Sequence, residues 1–91
     1  MNKKRNRLEV IRDILELLQS NRQVKITHII YKANLSNNTV KPYLDDLMKN
    51  KMIEQIFVDE KKYFIITPKG REFLLEYNKI QGFVESFGLQ V

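Results

Sequence analysis

The sequence predicts a mainly α-helical domain that carries one small β-hairpin. Three observations point there. Apolar residues recur at three- and four-residue spacing in four separate stretches. Two neighbouring runs, Met52–Val58 and Lys62–Thr67, are rich in β-branched and aromatic residues. The chain has 91 residues, enough for one domain with one modest core.

The elements follow in order. Leu8, Ile11, Ile14, Leu15 and Leu18 form the stripe of a first helix over about residues 5–20, widened by Val10 and Leu17. Gln23–Ile26 reads as a short extended piece. Thr27 is placed to cap a second helix, Thr27–Ala33, with His28, Tyr31 and Lys32 outward. Asn34 tolerates the left-handed backbone that closes helices. Ser36 caps a third helix, Ser36–Lys51, with Val40, Leu44, Leu47 and Met48 as its stripe. Pro42 falls inside it, where proline deletes one helical hydrogen bond and crowds the carbonyl of Asn38. The expectation is a loosened first turn with the regular helix capped by Thr39; a kink is the alternative. Asp59-Glu60-Lys61 joins the two strands. Thr67-Pro68 starts the last helix, threonine as cap and proline in first position.

Composition excludes several functions. With no Cys and one His, disulfide frameworks, thiolate metal sites and Cys nucleophiles are excluded, and His-based catalysis has little to work with. Three Gly leave no phosphate-cradling loop. Asp45 and Asp46 are adjacent and do not share a helix face. Ser20, Ser36 and Ser86 lack a plausible base nearby. We therefore expect no enzyme, metal or cofactor, and no small-molecule ligand is evident. Glu9, Arg12, Asp13 and Glu16 interrupt the apolar segment after the basic start, which excludes a secretory or membrane-spanning segment there. The default compartment is the cytoplasm. The balance of 16 basic to 11 acidic residues, net +5, favours a polyanionic partner. Met1–Arg12 alone contributes five basic residues against one Glu.

Two short helices joined by a tight turn, then a two-stranded hairpin, describe a winged helix-turn-helix. In that arrangement the third helix fits the major groove of a duplex, the second braces it, and the hairpin reaches nearby phosphates. Thr27–Ser36, Tyr43-Leu44-Asp45-Asp46-Leu47 and Tyr63–Leu74 also resemble small archaeal winged-helix DNA-binding proteins, over about residues 8–80. The resemblance implies duplex DNA binding and, as in some relatives, dimerisation through an antiparallel coiled coil of C-terminal helices. Relatives are described as regulators or as abundant chromatin-like proteins. Two positions depart from the pattern: Asn50-Lys51 stands where such families often place Gly, and Pro42 interrupts a usually continuous helix.

Candidate contacts follow from these placements. Asn37, Asn38, Thr39 and Lys41 lie near the start of the third helix, where side chains meet base edges or phosphates. Capping and turn chemistry is the competing reading of that cluster. Asp45 and Asp46 would repel phosphates, so contact is expected to stop near Lys41. Lys25, Tyr31 and Lys32 flank the second helix and can hold the backbone, as can Lys61 and Lys62 at the hairpin tip. Solvated surface charge is the alternative for each. Lys3, Lys4, Arg5 and Arg7 form a basic arm. In the last helix Phe73, Tyr77, Ile80, Val84, Phe87 and Val91 are spaced 4, 3, 4, 3, 4, the seam of a coiled coil. Phe83 widens it, so Tyr77, Ile80, Phe83, Val84, Phe87 and Val91 are the expected dimer interface. The chain divides into a DNA-binding part, residues 1–72, and a continuous dimerisation helix, residues 73–91. The expected function is a nucleoid-associated transcription regulator acting as a homodimer on double-stranded DNA. An architectural chromatin protein and a protein-interaction module are the alternatives.

Overall fold

The computed structural model describes residues 5–89, and helix α1 (Arg7–Ser20) opens the fold. Its start is set by Asn6 and Glu9. The Asn6 side chain accepts from the Glu9 N–H at 2.8 Å, and the Asn6 N–H donates to the Glu9 carboxylate at 2.9 Å. This reciprocal cap satisfies two donors at once. Leu8 lies on the exposed side, whereas Val10, Ile14, Leu15 and Leu18 are buried.

Helix α2 (Ile26–Ala33) begins one residue before expectation, and Thr27 is not its cap. The cap position is Lys25, which makes no side-chain bond there. The cause is tertiary: Val24 exchanges two backbone hydrogen bonds with Phe64, at 3.0 and 2.8 Å, so the extended segment is pinned up to Lys25. Asn34 is left-handed, φ 55°, and the Leu35 N–H closes on the Ile30 carbonyl at 3.0 Å.

Helix α3 (Asn37–Lys49) corrects the expected loosened turn. Ser36 Oγ accepts from the Thr39 N–H at 3.1 Å, and the helix runs through Pro42. Thr39 is thus inside the first turn, not a second cap. The helix tolerates Pro42 because its fixed φ is helical and both Pro42 and Asn38 are solvent-exposed. The carbonyl of Asn38 that loses its donor lies on a wetted face. At the far end Lys51, φ 61°, takes the left-handed position, not Asn50.

Strands β1 (Ile53–Val58) and β2 (Lys61–Ile66) pair antiparallel, Ile53 opposite Ile66 and Val58 opposite Lys61. The loop is therefore two residues, not three, and Lys61 belongs to β2. Asp59 and Glu60 both have positive φ, 51° and 66°, as a primed two-residue turn requires.

Helix α4 (Pro68–Ser86) starts as expected, with the Thr67 hydroxyl accepting from the Gly70 N–H at 3.1 Å. The same hydroxyl donates to the Lys51 carbonyl at 2.7 Å, which ties α4 to the base of the hairpin. The helix ends at Ser86, short of the expected seam. Gly88, φ 79°, is the reason: its N–H bonds the Glu85 carbonyl at 2.9 Å and that of Leu89 the Val84 carbonyl at 3.4 Å. These are the two closing bonds of a glycine helix stop.

α1 is the hub, packing against α2, β2 and α4. Ile14, Leu15 and Leu18 are fully buried there, and burying each side chain stabilises by about 1.5–3 kcal/mol. α3 contributes Val40, Leu44 and Leu47 and packs on α2 and β1, so its opposite face is left to solvent. Beyond Leu74, α4 buries no residue.

Candidate nucleic-acid interface

The exposed face of α3 carries the first group of candidate residues. Asn37, Asn38 and Lys41 are exposed, and their side chains make no hydrogen bond or ion pair among the described residues. Thr39 differs. Its hydroxyl lies 2.8 Å from the Ser36 hydroxyl and its N–H donates to the Ser36 Oγ that caps the helix, so it is engaged in the turn. Capping chemistry therefore accounts for Thr39 but not for its neighbours. Lys49 lies two turns beyond Lys41 on the same face, is equally exposed and unpaired among the described residues, and was missed.

α2 and the hairpin flank this face. Tyr31 is 81% exposed and Lys32 stands beside it in the chain, also exposed. His28 and Lys32 line a cleft of about 630 Å³ against α1, whose other walls include Asp13 and Glu16. Lys25 Nζ sits 5.9 Å from the centre of the Tyr63 ring, a cation–π contact. Alternate strand residues share a face, so Tyr63 and Lys61 point the same way and Lys62 the opposite way, opposite Phe57. The structure thus groups Lys25 with Lys61 and separates Lys61 from Lys62.

The basic arm is corrected for the two described members. Arg5 is anchored, not free: it pairs with Asp13 at 2.5 Å and donates to the Ala33 carbonyl at the end of α2. Arg7 pairs with Asp46 on α3 and lies over the Tyr43 ring at 5.3 Å. Arg12 pairs with Asp13 at 2.9 Å and lies over Tyr77 at 5.9 Å. Lys3 and Lys4 lie outside the described residues. Among the described residues Lys25, Lys32, Lys41, Lys49, Lys61 and Lys62 face solvent without an ion pair, and so do Arg22, Lys69 and Arg71 elsewhere on the surface.

α4 places the seam residues unevenly. Ile80, Phe83 and Phe87 are exposed, at 61%, 65% and 68%. Phe83 and Phe87 meet edge-to-face at 5.0 Å, and Val84 is half-buried. Tyr77 is drawn to the body by Arg12 and stacks with Phe73 at 6.3 Å. Phe87 is the terminal cap rather than a helical position, and Val91 lies outside the described residues.

Residues 4–85 match the family model described as winged helix-turn-helix. The chain belongs to that family. The hairpin is its wing and α3 the second helix of its helix-turn-helix. Among solved structures, the chain is similar to Sso10a-2, a DNA-binding protein from Sulfolobus solfataricus. The two share 29% identity with a TM-score of 0.70, over 92% of this chain and 90% of the other. A search of curated proteins finds no match. In this winged helix no described helix is long and apolar enough to cross a membrane.

Proposed function

We propose that this winged helix binds double-stranded DNA as a homodimer and acts as a nucleoid-associated transcription regulator, not an enzyme. The observation that carries the reading is the outward face of α3. Asn37, Asn38, Lys41 and Lys49 stand there exposed and without partners among the described residues, braced by α2 and flanked by the wing. Asn can read adenine bidentately and Lys can meet guanine or phosphate, so this face suits a major groove. Lys25, Tyr31, Lys32, Lys61 and Lys62 hold phosphates, which fix position without carrying sequence information directly. Likeness to a DNA-binding protein from Sulfolobus supports the same reading.

In this proposal residues 1–72 form the DNA-binding part and residues 73–91 the dimerisation segment. The exposed Ile80 and Phe83 support a coiled-coil contact with a second copy, since left bare they form an apolar liability. Ile80→Asp with Val84→Asp is expected to halve the mass seen by light scattering, and an unchanged mass removes the dimer. Titration against duplex DNA at several salt concentrations tests the DNA reading. Binding that weakens steeply with salt is expected. Equal affinity for all sequences assigns the architectural role, and no binding at about 50 mM salt favours a protein-interaction module.

A further inference from the structure

The fold treats two adjacent carboxylates of α3 differently. Asp46 is held by Arg7. Asp45 is exposed and makes no ion pair or side-chain hydrogen bond among the described residues. It stands one turn after Lys41 and one turn before Lys49, two turns beyond Asn38, on the outward face of the helix. Neither lysine closes on it, so no local ladder of ion pairs accounts for it.

A bare carboxylate amid a face that meets a polyanion is repelled by phosphates. An ionised carboxylate only accepts hydrogen bonds. In the major groove the donors are the amino groups of cytosine and adenine, while guanine O6 and thymine O4 are acceptors that repel it. Cytosine N4 is the partner a carboxylate takes there. We propose that Asp45 is a specificity-determining residue that accepts a hydrogen bond from cytosine N4, with Lys41 and Lys49 keeping the surrounding potential positive. The inference rests on the DNA reading above and extends the contact surface one to two turns past Lys41. Asp45 weakens binding to every sequence that lacks the amino group, which gives preference through a repulsive element.

The test enriches bound duplexes from a randomised pool with the wild-type protein, Asp45→Ala and Asp45→Asn, then measures affinities by anisotropy. The wild type is expected to fix cytosine at one position, and changing that base pair weakens binding by about 5- to 150-fold. Asp45→Ala is expected to bind random duplex more tightly and to become indifferent at that position alone. Asp45→Asn is expected to shift the preference there to adenine. Neither variant is expected to melt below the wild type, because Asp45 is exposed and unpaired among the described residues and alanine is the better helix former. A wild-type preference that survives intact in Asp45→Ala, or an equal change in affinity on every sequence, overturns the assignment while the DNA reading stands. Failure of the wild type to bind any duplex at low salt overturns the DNA reading and takes this assignment with it.

Discussion

Replacing Gly70 with alanine reverses the usual sign of that substitution. In an open helix the change stabilises by about 1 kcal/mol. At Gly70 an added Cβ stands 2.4 Å from the Met52 carbonyl oxygen and 2.7 Å from Ile66 Cγ1, where ordinary contact begins at 3.4 Å. Something must move by about 1 Å, and the nearest obstacle is backbone. That carbonyl also accepts the Thr67 N–H at 3.0 Å. Its displacement loses a bond worth about 0.5–1.5 kcal/mol and adds overpacking of about 1–3 kcal/mol. Against the helix gain, the net loss is about 0.5–3.5 kcal/mol, or roughly 2–28 °C in Tm for a chain this size. Gly82 in the same helix has nothing within 4 Å of its would-be Cβ. Gly82→Ala is therefore expected to raise Tm by roughly 4–8 °C. Thermal unfolding followed by circular dichroism reads both. A Gly70→Ala protein as stable as the wild type, or more so, refutes the packing argument.

Three further outcomes are expected. Asn6→Ala removes the side-chain half of the α1 cap, leaving the residue-6 N–H on the Glu9 carboxylate, and costs about 1 kcal/mol in urea unfolding, with an unchanged m-value. Asp13→Ala leaves Arg5 and Arg12, each about three-quarters buried, without their shared carboxylate and costs about 1–3 kcal/mol by the same measurement. Lys41→Ala reduces the slope of log affinity against log salt by about 0.9 if Lys41 neutralises one phosphate, and a slope equal to the wild type's removes it from the backbone contacts.

What was legible in the sequence was local. Thr67-Pro68 and Asn34 act on their own helix ends, and each sits where its chemistry placed it, while at α3 Ser36 holds the cap that Thr39 was expected to take. Asn6-x-x-Glu9 is equally local, and it moves the start of the first helix from about residue 5 to Arg7. Thr27 lost the cap to a strand contact 40 residues away in the chain, Val24 with Phe64, which no local pattern reports. Arg5 pairs with Asp13 eight residues on, but its bond to Ala33 and the pairing of Arg7 with Asp46 span 28 and 39 residues, so those appear only once α1, α2 and α3 are assembled. In the candidate site, helical arithmetic placed Asn38 and Lys41 outward. Lys49 was lost because the carboxylates at Asp45 and Asp46 were treated as one barrier, whereas Arg7 removes only the second.

The hairpin tip is a compromise visible in two backbone angles. Asparagine followed by glycine would adopt that geometry with little strain, while a side chain held left-handed costs roughly 1–2 kcal/mol, less for Asp than for Glu. The chain accepts that loss and places Asp59 and Glu60 at the extremity. A polyanion arriving end-on meets like charge before it reaches either lysine. For the duplex proposed above, the open approaches are the broad sides of the ribbon, where Lys61 and Lys62 stand on different sides.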